Sequence, residues 1–172
     1  MSRLHAFTAL AVATAACTSA PKVDVPDSLR PAAGEVVALT TPARGVQIYE
    51  CRGRKDGAGF EWSFVAPEAE LFDAKSRSVG HHGAGPTWQA SDGSRIVGSL
   101  KARADAPVTG AIPWLLLSAK STGSAGALAG VTSVQRINTA GGVAPATPCT
   151  DDLKGTTVRV PYSADYVFYT AR

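Results

Sequence analysis

The feature that most constrains this chain is a two-residue rhythm that recurs along most of its length. Phe60, Trp62 and Phe64 alternate with Glu61 and Ser63. Ile96, Gly98, Leu100 and Ala102 alternate with Arg95, Val97, Ser99, Lys101 and Arg103, which gathers most of the charge on one side. Val158 and Val160 alternate with Thr157 and Arg159. Successive side chains of a strand point to opposite faces, so this period commits the chain to half-buried β-strands. Further strands are expected at 35–40, 45–52, 68–72, 79–82, 87–90, 112–119, 131–138 and 166–170. No segment sustains a 3.6-residue period, and 125–129 is read as a single helical turn at most.

Turn chemistry falls between these runs. Lys55-Asp56-Gly57-Ala58-Gly59 and Ser91-Asp92-Gly93-Ser94 suit hairpin loops. The 17 glycines and 11 prolines at short spacing fit a sheet built from many strands. Pro113 marks an edge strand or a strand entry, because proline cannot donate to a ladder. The stretch 139–150, rich in Gly, Ala and Pro, is the one long loop. Trp62, set between Phe60 and Phe64, is read as core. The fold class expected is all-β, a single-domain antiparallel β-sandwich or barrel with one disulfide.

Three cysteines set the compartment. Residues 1–16 have the anatomy of an export signal of the lipoprotein type. Arg3 and His5 begin it, an apolar run from Ala6 to Ala16 follows, and that run is too short to span a bilayer as a helix. Thr14-Ala15-Ala16-Cys17 reads as a lipobox, which makes Cys17 the lipidation site and the membrane a partner through that anchor. Simple cleavage after Ala15 is the competing reading. In a host with two membranes, Thr18, which is not acidic, favours the outer membrane over inner-membrane retention. The protein is therefore expected to be exported, periplasmic or anchored in the outer membrane, or extracellular. Residues 17–34, with Pro21, Pro26 and Pro31, are read as a tether, and 35–172 as the β domain. Cys51 and Cys149 enclose a loop of about 100 residues. In an exported protein two such cysteines are expected to form a disulfide, the alternative being two buried free thiols. They form neither a Cys-x-x-Cys pair nor a zinc pattern.

Charge excludes one class of partner. Removing Arg3 from the 17 basic residues leaves 16 against 14 acidic ones, with no basic run to track a phosphate backbone, so no nucleic-acid partner is expected.

Chemistry-bearing residues are few. In Gly80-His81-His82-Gly83-Ala84-Gly85-Pro86-Thr87-Trp88 the two histidines must face opposite sides of a strand, so they cannot share a metal, and no metal site is assigned. His82 and Trp88 are candidates for a ligand site. Trp114, following Pro113 at a strand start, is a candidate rim aromatic. Gln135, Arg136 and Asn138 end a strand before Gly141-Gly142 and complete the ligand-facing set. For each of these a bland role competes: core packing for the tryptophans, a turn hydrogen bond for a histidine or Asn138, a solvent-facing cation for Arg136. No Gly-x-Ser-x-Gly, His-Glu-x-x-His or phosphate loop is present, so no catalytic residue and no cofactor is assigned.

Several of these segments together resemble one family. They are Gly45-Val46-Gln47-Ile48-Tyr49-Glu50-Cys51, Ala66-Pro67-Glu68-Ala69 with Leu71-Phe72-Asp73, and His82 to Trp88 with Asp92-Gly93-Ser94. Ala111-Ile112-Pro113-Trp114-Leu115-Leu116, Gln135-Arg136 with Asn138-Thr139 and Gly141-Gly142, and Pro161-Tyr162 with Ala164-Asp165-Tyr166 complete the set. In this combination the chain resembles the exported bacterial and fungal family called domain of unknown function 3455. The resemblance covers about Val25 to Tyr169. It implies that His82 rather than His81 is the recurring histidine, and it supports pairing of Cys51 with Cys149. It implies no activity and no catalytic residues. Two function classes remain: a non-enzymatic envelope module, binding or structural, with a small-molecule or carbohydrate ligand, and an envelope hydrolase or lyase using His82 as acid/base and Arg136 as anion clamp.

Overall fold

A computed structural model describes residues 23–172. The eight strands are β1 (Glu35–Gly53), β2 (Phe60–Phe72), β3 (Ser78–Gly83), β4 (Thr87–Ala90), β5 (Arg95–Ala104), β6 (Trp114–Ser121), β7 (Val131–Gly141) and β8 (Thr157–Ala171). Each pairs antiparallel with its neighbour in sequence, and β8 returns to β1, closing a barrel. Of sandwich and barrel, the structure is the barrel. Closure leaves no sheet edge along most of the wall, and eight strands enclose a lumen that side chains nearly fill.

The alternation read from the sequence sorts the wall. Tyr162, Ala164, Tyr166 and Phe168 of β8 enter the lumen and pack with Trp88, Ile96, Leu117 and Val134. Charged residues other than Arg136 lie outside, where Arg159 reaches Glu68 at 2.9 Å. An apolar lumen and a charged exterior invert the pattern of a membrane-spanning barrel. Room inside is tight: a Cβ on Gly45 would sit 2.1 Å from the Glu68 carbonyl oxygen, so only glycine fits there.

Four expectations are corrected. The runs 35–40 and 45–52 are one strand through Pro42, 60–64 and 68–72 are one strand through Pro67, and 157–160 and 166–170 are one strand through Pro161. Each proline stays in register with one neighbour, Pro42 with Asp165, Pro67 with Gln47 and Pro161 with Val46, and lies beyond the pairing on its other side, so proline did not end these strands. Trp62 is only half-buried, because β2 runs beyond the packed lumen there; its Nε1–H donates to the Thr147 carbonyl at 2.9 Å. The stretch 125–129 forms turns, not helix, and drives Leu128 into one end of the lumen. Asp92 and Ser94 hold it, accepting the backbone N–H of Ala127 (2.7 Å) and Leu128 (3.1 Å). Finally, part of the stretch read as a tether lies on the wall. Leu29, at 0% exposure, packs outside the barrel on Trp114, Leu116, Ile137 and Val167, with Val23 and Val25 beside it.

At the other end, Cys51 of β1 and Cys149 of the β7–β8 loop form a disulfide with Cα atoms 5.5 Å apart. The same loop is pinned where Tyr49 Oη–H donates to the Gly142 carbonyl at 2.7 Å. Cys17 and the export signal lie outside the described residues.

Candidate ligand site in a notch of the barrel wall

The barrel wall is uneven, and its low side makes the site. β3 and β4 have 6 and 4 residues, whereas β2 and β5 on either side have 13 and 10. Pairing of β2 with β3 stops at Ala69–His82, so 60–68 of β2 have no partner on that side. Pairing of β4 with β5 stops at Thr87–Val97, followed by one bond from Gly98 N–H to the Pro86 carbonyl at 2.8 Å. The result is a notch with Gly85 and Pro86 as its sill, Phe64, Val65 and Pro67 on one jamb, and Ser99 and Leu100 on the other. Behind it lies a cavity of about 290 Å³, backed by Leu115, Leu117, Arg136 and Tyr166, with His82 and Trp88 at its base.

Local rules place these residues. Register pairs His82 with Trp88 across β3 and β4, on the lumen side. Their rings stack at 4.5 Å and 15°, and Tyr166 meets His82 at 5.0 Å. Gly98 faces the Trp88 ring: a Cβ there would sit 2.8 Å from Cζ3 and 3.2 Å from a Leu117 methyl. Phe64 and Leu100 stand 52% and 60% exposed at the opening, apolar surface that the fold leaves uncovered.

Electrostatics define the chemistry. The ring Nδ1 of His82 lies 2.8 Å from the Thr87 carbonyl oxygen, which can only accept, so Nδ1 carries the proton. Burial, assisted by the nearby Arg136 charge and opposed by the Thr87 bond, lowers its pKa to about 4. The ring is therefore neutral at neutral pH. Burial also raises the phenols of Tyr162 and Tyr166, whose hydroxyls lie 3.2 Å apart, and both stay protonated. Arg136 points into the lumen, in register with Leu115 on β6 and Tyr166 on β8. Its Nε–H and Nη2–H both donate to the Pro113 carbonyl, at 3.1 and 2.8 Å. Among the described residues no carboxylate forms an ion pair with it, whereas five other ion pairs decorate strands and turns elsewhere.

Of the six residues singled out in the sequence, the structure brings three together: His82, Trp88 and Arg136. The other three lie apart. Trp114 and Gln135 face outward, under the N-terminal segment, where Gln135 Nε2–H donates to the Leu29 carbonyl at 2.6 Å. Asn138 is exposed at a β7 irregularity with φ of 50°, donating to Asp165 at 2.8 Å. For Gln135 the difference from Arg136 is one of parity, since neighbours on a strand cannot share a face. Sequence reasoning missed Phe64, Leu100, Leu115 and Tyr166. Tyr166 was recoverable, because it shares parity with Tyr162 and Ala164. Among the described residues no three His, Cys, Asp or Glu side chains gather as a metal site.

These features define a small, closed, antiparallel barrel with a side-opening apolar cavity that carries a single cationic group. The chain belongs to the family described as protein of unknown function (DUF3455), whose model matches residues 31–170. No curated protein and no solved structure matches it.

Proposed function

We propose that this protein is an exported cell-envelope module that binds a small organic molecule in the notch, without transforming it. The observation that carries the reading is the convergence of His82, Trp88 and Arg136, from three strands, on an open cavity that no described side chain fills. Such a cavity, apolar with a few converging polar groups, is the usual form of a small-molecule site, and its volume lies at the small end of the range. The export signal and a lipid on Cys17 belong to this reading. The disulfide supports it, since such bonds persist in oxidising compartments. An outer-membrane anchor would place the barrel at the envelope surface.

The hydrolase or lyase reading is weaker on a specific ground. A general acid or base works best with a pKa near the working pH, and His82 at about 4 is far from it. Among the described residues no Asp, Glu or Lys lines the cavity to take its place.

Native mass spectrometry of the protein purified gently from its own host tests the proposal. The expected result is an extra mass that leaves on denaturation and is reduced when Phe64 and Leu100 are changed to Ala. A bare mass before and after denaturation counts against it. The denatured mass also reports whether Cys17 carries lipid.

A further inference from the structure

Among the described residues, the lumen holds one charge that no carboxylate answers. Arg136 is half-buried among Leu115, Leu117, Tyr166 and Trp88, and a charge removed from water in apolar surroundings is costly unless paired. Two of its three nitrogens are held by one neutral carbonyl, that of Pro113. The Tyr166 hydroxyl, also neutral, is another polar neighbour. Among the described residues nothing else at the base can supply a counter-charge: the adjacent rings are a histidine and phenols, and no carboxylate lines the cavity. The guanidinium has five N–H groups, so it is fixed in position and keeps donors to spare, the arrangement that suits a planar anion.

Size and wall chemistry narrow the class. At about 30 Å³ per water-sized group, the 290 Å³ cavity holds about ten such groups. The jambs and back wall are apolar, so a bare inorganic anion would leave most of the space unfilled. A sugar chain would bring more hydroxyls than the wall has partners for. We propose that the ligand is a compact organic monoanion, a carboxylate on a short alkyl or aryl body, with its charged end on Arg136 and its body between Phe64, Leu100 and Leu115. The inference rests on the notch being a binding site.

Isothermal titration of the full mature chain at neutral pH with octanoate, 1-octanol and octylamine tests it. Octanoate is expected to bind at least tenfold more tightly than octanol, and octylamine more weakly than either. Arg136→Gln is expected to abolish the preference for octanoate over octanol, and Arg136→Lys to retain part of it. Equal affinity for octanoate and octanol in the wild type overturns the anion inference and leaves the binding site standing. Failure of all three to bind overturns both. Should Arg136→Gln not fold, the wild-type comparison still decides: a preference for octanoate that weakens with added salt supports the inference, and its absence overturns it.

Discussion

Lowering the pH should destabilise this barrel well above the range where carboxylates titrate, and His82 is the reason. In the unfolded chain the imidazole takes a proton near its ordinary value of 6.5; in the folded barrel it resists until about 4. Below 6.5 the unfolded state binds the extra proton, so stability falls as pH falls, levels off below 4, and is fully present above 6.5. A tenfold difference in proton affinity between the two states corresponds to about 1.4 kcal/mol, so the whole window is worth about 3 kcal/mol. Between about pH 7.5 and pH 5 the loss should be about 2 kcal/mol. Asp73, which accepts the Arg77 backbone N–H, and Asp92, which accepts the Ser94 hydroxyl, are held below the usual carboxylate range and titrate beneath this interval. Urea unfolding with the disulfide intact, repeated across these pH values, measures the effect. His82→Gln should flatten the profile between pH 7.5 and pH 5, whatever its own stability. A flat wild-type profile, or a slope that persists unchanged in His82→Gln, would refute the burial argument.

Other outcomes follow from the same architecture. Cys149→Ser opens a loop of about 100 residues and should cost up to about 4.7 kcal/mol in the urea midpoint analysis, with the free Cys51 thiol then detectable by Ellman titration of the denatured protein. Leu128→Ala removes the plug from the end of the lumen away from the notch and should cost about 2–5 kcal/mol by thermal or urea unfolding, with octanoate affinity unchanged. Gln135→Ala leaves the buried Leu29 carbonyl without its donor; a loss of about 1–3 kcal/mol is expected, again with no change in ligand affinity, since Gln135 faces away from the cavity.

Much of the fold was legible because strand parity is a local property. The alternation at 60–64, 95–103 and 157–160 gave β structure and the correct sides for Ile96 and Gly98. Strand length was less legible. Pro42, Pro67 and Pro161 lie between runs expected as separate strands, yet each lies inside a long strand, because the cost of a missing donor depends on ladder position, which the sequence does not show. Barrel closure was equally hidden, for it depends on β8 returning to β1 across more than 100 residues of intervening chain. At the site, the chemistry-bearing types pointed to the right neighbourhood, and Arg136 reached the cavity from it. Gln135 and Trp114 did not, because they have the opposite parity in the register of β6 and β7. The notch arises from a length mismatch between β3–β4 and their neighbours. Loop and strand lengths are visible in a sequence only once register is known, so Phe64 and Leu100 were read simply as strand residues.

The central claim is that the notch is where this protein meets its ligand. A ¹H–¹⁵N NMR titration of the mature chain with octanoate tests it most directly. Saturable shifts are expected at Phe64, Gly98, Ser99, Leu100, Leu115 and Arg136, with little change at Leu128 or Gln135. Shifts centred on the Leu29–Gln135 face or on the Leu128 end, or no saturable shifts at all, would contradict it.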